Sequence, residues 1–172
     1  MVVGAKALCA AIMVSSGVFG FGGKDRACRH SGEVVAASAK HNLDPYLLTA
    51  LIQVESNWKS HVVSSAGACG LTQVMSKWSK YTCKQLKNPK TSIWEGARKL
   101  HYWIYKYGKG NLKIGLCGYN AGFRCKGKSP NKSGLTYAKK VVIMSNRLIR
   151  IVTGKPALYP QSPIFRLPLP YL

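Results

Sequence analysis

Residues 55–75 read ESNWKSHVVSSAGACGLTQVM, and the reading of the whole chain turns on them. The stretch carries one carboxylate, Glu55, then a turn rich in Ser, Gly and Ala, then Gln73 three residues past Gly70. Ahead of it, Leu47, Leu48, Leu51, Ile52 and Val54 give a helix that is apolar over much of its circumference, as expected of a central, buried element. Asp44 is placed to cap that helix. Pro45 falls at the first helical position, where its missing N–H is harmless. A glutamate ending such a helix is a candidate general acid. Burial and the negative end of the helix dipole both disfavour the carboxylate and raise its pKa.

Glu55-Ser56, Ser64, Gly67-Ala68, Gly70-Leu71 and Gln73-Val74-Met75 resemble, without a gap, the signature of the soluble-lytic-transglycosylase (SLT) domain, related to goose-type lysozyme. Further on, Gly118-Tyr119-Asn120-Ala121-Gly122 resembles the family's Ala-Tyr-Asn-Ala-Gly motif, with Gly for the first Ala. The resemblance covers about residues 28–152. It implies a mainly α, lysozyme-like single helical domain with a substrate cleft, the catalytic domain running over residues 24–153. It also implies a lytic transglycosylase in which Glu55 alone performs both proton transfers. Ser64 would orient the Glu55 carboxyl or touch substrate, and Gln73 would hydrogen-bond the sugar acetamide. Met75 would line the cleft wall. Tyr119 would hydrogen-bond near Glu55, and Asn120 would hold the loop or the sugar. The departures are Cys69, Thr72 where the family often has Met, and Gly118, which is expected to loosen the loop presenting Tyr119.

Composition narrows the chemistry. The chain has 26 Lys and Arg against 5 Asp and Glu, a net charge of +21. Such a field favours anionic partners: wall polymer, anionic lipid, lipopolysaccharide or nucleic acid. The basic residues are dispersed and carry no nucleic-acid motif, so nucleic acid is not expected as a partner. The carboxylates are Asp25, Glu33, Asp44, Glu55 and Glu95, so acid–base work falls to one of these or to the histidines. No cysteine or histidine cluster has zinc spacing, so neither a metal nor another cofactor is expected.

Residues 1–23 carry one charge, Lys6, and then an uncharged run from Ala7 to Gly23. They read as a secretory signal peptide or a releasable membrane anchor. A buried core helix is the least favoured reading, because nothing polar marks one face. Loss of the segment would leave five of the six cysteines, and retention keeps six, which leans mildly toward retention. Export favours disulfides. Cys117 with Cys125 is the first expected pair, and Cys69 with Cys83 the second.

The rest of the chain reads as helices over 27–41, 91–107 and 137–152, a short helix over 70–80 and a loop over 84–90. Trp94, His101 and Tyr105 beside the stripe of the 91–107 helix are read as packing. Glu95 is read as solvated or salt-bridged. Residues 154–172 hold five of the eight prolines and read as an extended tail. The expected partners are peptidoglycan glycan strands and an anionic wall or membrane surface. Virion or secretion-machine components are expected according to whether the chain is phage-borne or bacterial. Its place is outside the cytoplasm: periplasm, inner-membrane surface or virion. The same scaffold with water as nucleophile would be a lysozyme-type hydrolase. A non-catalytic wall-binding protein is the reading from another class, and intact Glu55, Gln73 and Tyr119 argue against it.

Overall fold

The computed structural model describes residues 3–19 and 23–154. Four helices come first: α1 (Ala5–Phe19), α2 (Lys24–Arg29), α3 (Ser31–Lys40) and α4 (Pro45–Ser56). A small antiparallel hairpin of β1 (Ala68–Cys69) and β2 (Val74–Met75) follows. Then come α5 (Cys83–Leu86), α6 (Pro89–His101), α7 (Leu112–Ala121) and α8 (Lys132–Thr153). Ala68 pairs with Met75 and Cys69 with Val74. The fold is mainly α, as the sequence leads one to expect.

α4 is the hub. Every residue from Tyr46 to Ile52 is buried, and the helix packs on α3 and α8. Asp44 caps it as expected, its side chain accepting from the Tyr46 amide at 2.7 Å. Asparagine starts the later helices in the same way. Asn88, Asn111 and Asn131 accept from the amides of Thr91, Ile114 and Gly134 at 3.1, 3.0 and 2.7 Å. Each such cap is worth about 1 kcal/mol.

Trp94, His101 and Tyr105 hold α6 and its extension to α3. Trp94 Nε1 donates to Glu33 at 2.7 Å, and Tyr105 Oη donates to the Asn42 carbonyl at 2.9 Å. His101 Nδ1 lies 2.8 Å from the His41 carbonyl. These aromatics therefore do structural work. Past His101 the helix widens into a π-helical stretch, Tyr102–Tyr107, and stops at Gly108.

Several local expectations are corrected. Residues 70–80 form no α-helix: Val74–Met75 is a strand, and Ser76–Trp78 is a single 3₁₀ turn. Gly70 and Gln73, both at positive φ, bend the chain back so that β2 can pair with β1. A Cβ at Gly70 would sit 1.9 Å from the Leu86 carbonyl oxygen, so that position demands glycine. Residues 84–90 are not all loop. Thr82 and Gln85 form a capping box that starts α5. The helix read over 27–41 breaks at His30 into α2 and α3.

α1 packs as a core helix, the arrangement its sequence favoured least. Leu8 and Ile12 are fully buried, and Ala11 nearly so, against α2, α3 and α8. An all-apolar helix has no periodicity to mark its buried face, so only its neighbours could select one. Among the described residues no helix is long and apolar enough to cross a membrane. Disulfides join Cys69 to Cys83 and Cys117 to Cys125, the two expected pairs, and Cys9 to Cys28, which staples α1 to α2. The proline-rich tail beyond Gly154 lies outside the described residues.

Candidate active site

Glu55 sits in the last turn of α4. Asn57 and Trp58 follow it in the left-handed region, at φ 50° and 62°, and turn the chain sharply away. That conformation is costly for tryptophan. It is held from α2, where Arg26 donates through Nε to the Trp58 carbonyl at 3.1 Å and through Nη2 to the Asn57 carbonyl at 3.2 Å. The cation also answers the negative end of the α4 dipole. Burying the Trp58 side chain completes the anchor. The turn thus sets where α4 ends and where Glu55 points.

The Glu55 carboxyl opens on a cleft of about 490 Å³ lined by Val54, Asn120, Ser133, Thr136, Tyr137 and Lys140. Tyr137 Oη donates to Glu55 Oε1 at 2.5 Å. Burial pushes the Glu55 pKa up to about 7, and the Tyr137 hydrogen bond opposes part of that rise. No cation forms an ion pair with Glu55 among the described residues. The acid therefore holds its proton near neutral pH. One oxygen is fixed by the tyrosine, and the carboxyl faces the cleft.

The other anticipated residues divide into two groups. Asn120 shares the cleft with Glu55. Tyr119 does not bond Glu55; its hydroxyl donates to the Thr72 carbonyl at 2.7 Å. It still lies close enough that the Glu55 charge, after burial, raises its pKa further. Ser64 braces the turn before β1, its Oγ accepting from the Ala68 amide at 3.0 Å. Gln73 Nε2 donates to the carbonyls of Gly70 and Val62 at 2.9 and 3.2 Å. Met75, partly buried, pairs with Ala68 across the hairpin. Ser64, Gln73 and Tyr119 thus shape the hairpin and fasten it to its neighbours.

Thr72 is the node of that fastening. It is wholly buried, its amide donates to Ser92 Oγ at 3.1 Å, and its hydroxyl donates to the Ser92 carbonyl at 2.8 Å. One residue thus ties the hairpin to α6 and, through its own carbonyl, to Tyr119 on α7.

Gly118 lies inside α7 and does not loosen anything. A Cβ there would come within 2.5 Å of Trp103 Cε3 and 3.0 Å of Tyr107 Cδ1. The missing methyl makes room for an aromatic group of Trp103, Tyr107 and Phe123, whose ring centroids lie 5.0 to 5.5 Å apart. The Cys117–Cys125 disulfide closes the same corner.

Sequence reasoning missed Tyr137. Its signal was present: an aromatic hydroxyl heading the buried stripe that continues through Val141 and Leu148. A buried tyrosine hydroxyl needs a polar partner. The partner is 82 residues away, and nothing local names it. Ser133, Thr136 and Lys140, which also line the cleft from α8, were missed for the same reason.

Comparison with known proteins gives the family and the fold. The sequence model for the transglycosylase SLT domain matches residues 34–142, well over half of the chain. The transglycosylase of Enterobacteria phage PRD1 is 35% identical over 88 residues, which span 51% of this chain and 32% of the relative. An inactive mutant of the lytic transglycosylase Slt from Pseudomonas aeruginosa superposes with a TM-score of 0.65 at 18% identity, over 79% of this chain and 26% of that one. The 70-kDa soluble lytic transglycosylase of Escherichia coli gives 0.63 at 22% identity, over 78% and 26%. The same enzyme bound to bulgecin A gives the same values. This chain spans about a third or less of the length of these relatives.

Proposed function

The chain belongs to the transglycosylase SLT domain family, and from that premise we propose that it is a peptidoglycan lytic transglycosylase. It cleaves the β-1,4 bond between N-acetylmuramic acid and N-acetylglucosamine, with Glu55 as the single acid and base. The observation that carries this reading is the state of Glu55. It is a cleft-facing carboxyl whose pKa burial raises to about 7, with no cation paired to it among the described residues and one oxygen held by Tyr137.

Protonated Glu55 gives its proton to the glycosidic oxygen. The muramic sugar passes through an oxocarbenium-like state, assisted by its own acetamide. Glu55, now the base, accepts the proton of the C6 hydroxyl of the same sugar. That oxygen closes on C1, giving a 1,6-anhydro end with no water consumed. Acid–base assistance of this kind contributes about 10²–10⁴-fold to rate, and an intramolecular nucleophile adds the advantage of proximity. Most glycosidases flank the bond with two carboxylates. Here the cleft is lined by Glu55 and no other carboxylate among the described residues. Tyr137 keeps the carboxyl in one orientation for both proton transfers.

The substrate lies outside the cytoplasm, and three disulfides suit an oxidising compartment. Residues 1–23 would direct export and then stay in the mature protein, where α1 is part of the core and the Cys9–Cys28 bridge ties it to α2. The net charge of +21 favours retention at the anionic wall.

Mass spectrometry of muropeptides released from purified peptidoglycan tests the reading, with Glu55→Gln run in parallel. Products one water lighter than reducing-end muropeptides, absent with the variant, are expected. Reducing-end products that depend on Glu55 would make the protein a hydrolase on this fold. No product from folded wild-type protein would end the enzyme reading.

A further inference from the structure

Ser133, Thr136, Tyr137 and Lys140 stand at i, i+3, i+4 and i+7 on α8, so one face of this helix forms a wall of the Glu55 cleft. The wall changes character along its length. Ser133, Thr136 and, across the cleft, Asn120 offer neutral hydrogen-bonding groups of the kind that suit sugar hydroxyls and acetamides. Lys140 is the one cation among the described residues that line the cleft. It lies about 4.5 Å along the helix axis from Tyr137, within reach of whatever Glu55 acts on.

The Lys140 charge has no internal employment. The ion pairs among the described residues are Lys90 with Glu33 and Arg98 with Glu95. The proton on Glu55 answers to burial and to Tyr137, with no contribution from Lys140. Lys140 is also exposed, so its ammonium is not committed to packing. An uncommitted cation on the wall of a cleft, a turn beyond the acid's own tyrosine, is placed to meet an anion on the substrate.

We propose that Lys140 is a carboxylate-recognition point, binding a carboxylate carried on the lactyl arm of the muramic sugar. This rests on the peptidoglycan reading above. The sugars of the glycan strand are otherwise neutral, and their charge hangs from that arm. It belongs either to the attached peptide or, where the peptide is gone, to the lactyl group itself. A lysine suits this task because its ammonium is a compact charge on a flexible stem, with three donors and no fixed fork. It can follow a mobile arm while the neutral groups beside it hold the ring. The site would favour strands that carry this charge over strands in which it is masked.

The test uses binding, so that turnover does not confuse it. Glu55→Gln protein is compared with the double variants Glu55→Gln/Lys140→Met and Glu55→Gln/Lys140→Arg. The probes are soluble labelled glycan fragments in three forms: peptide-bearing, peptide-bearing with all carboxylates amidated, and peptide-stripped with the lactyl carboxylate free. Lys140→Met should weaken binding of a carboxylate-bearing fragment about fivefold at low salt, as one charge-assisted contact at an exposed site predicts. Amidation should cost the Lys140 protein the same factor and cost the Met variant nothing further. Arg should hold the affinity within about twofold. A Lys140-dependent gain on the peptide-bearing fragment alone assigns the peptide carboxylates. A gain on the stripped fragment assigns the lactyl carboxylate. Equal loss on all three fragments, no loss on any, or no binding by the Glu55→Gln parent would overturn the inference. The catalytic reading is judged separately, by anhydro products from wild type and from Lys140→Met. Because Lys140 is exposed, its replacement should leave the thermal midpoint in place, which checks that the variants are folded.

Discussion

Glu55 on α4 and Glu95 on α6 are two glutamates of the same domain, and the molecule treats their protons in opposite ways. Glu95, on α6, is the less exposed to solvent, at 2%, although the Glu55 carboxyl lies deeper among protein atoms. Burial pushes its pKa up, yet the net shift is downward. Arg98 meets it with two hydrogen bonds of 2.7 and 2.8 Å, Ser79 adds one of 2.8 Å, and the charges of Arg98 and Lys99 reinforce them. Glu55 has less of its residue hidden, but among the described residues the one hydrogen-bond partner of its carboxyl is a neutral phenol. Its pKa rises to about 7. Burial alone therefore does not make an acid. Burial without a compensating cation does. Glu95 uses its charge to pin the segment after β2 to α6, and Glu55 keeps its proton for the cleft.

Changing each partner set should break or sharpen that contrast. The largest effect belongs to Glu55→Gln, which should lower the rate of anhydro-muropeptide release by about 10²–10⁴-fold while the circular dichroism spectrum stays native. Tyr137→Phe comes next. Loss of the single hydrogen bond that opposes burial should move the Glu55 pKa further up. With Glu55 as the proposed acid, the alkaline limb of the kcat/KM profile is expected near pH 7 in wild type and should shift to higher pH in the variant. At its optimum the variant should be slower by about tenfold, the scale of one hydrogen bond to a charged group. An unmoved limb would mean that Tyr137 does not act on this proton.

Glu95→Gln should do the reverse of Glu55→Gln: activity at low temperature within about twofold of wild type, but stability lower by about 1–2 kcal/mol in urea unfolding. The discount from a fully buried pair reflects Arg98, which is about half exposed.

The pH dependence of stability separates the two residues by sign. The folded pKa of Glu55 lies above its ordinary 4.5. The folded state therefore holds that proton more tightly, and the Glu55 contribution declines as pH rises from 4.5 to about 7. Glu55→Gln should remove this decline and gain on wild type at pH 8 relative to pH 4. The folded pKa of Glu95 is depressed, so its contribution is present above the ordinary carboxylate pKa and is lost as pH falls through its lowered value. Thermal midpoints of the three proteins across that range separate the two.

Much of the catalytic half of this contrast is legible along the chain. The apolar run from Leu47 to Val54 with Asp44-Pro45 ahead of it announces a buried, capped helix, and Glu55 at its end is an acid in the making. The signature around it names the family, and the short loop between Cys117 and Cys125 suggests the bridge of the α7 corner. These features are local: caps, periodicities and turns depend on residues a few positions apart.

What only the tertiary structure decided are the long-range partnerships. Tyr137 reaches Glu55 across 82 residues, and Trp94 reaches Glu33 across 61. Gly118 is small because Trp103 lies against it. α1 is apolar over most of its surface, so its sequence could not say that Leu8 and Ile12 would be the buried residues. Nor could composition say which of five carboxylates would be buried beside a cation and which beside a phenol. A pKa is set by the few ångströms around a carboxyl, and those ångströms are filled by chain that is distant in sequence.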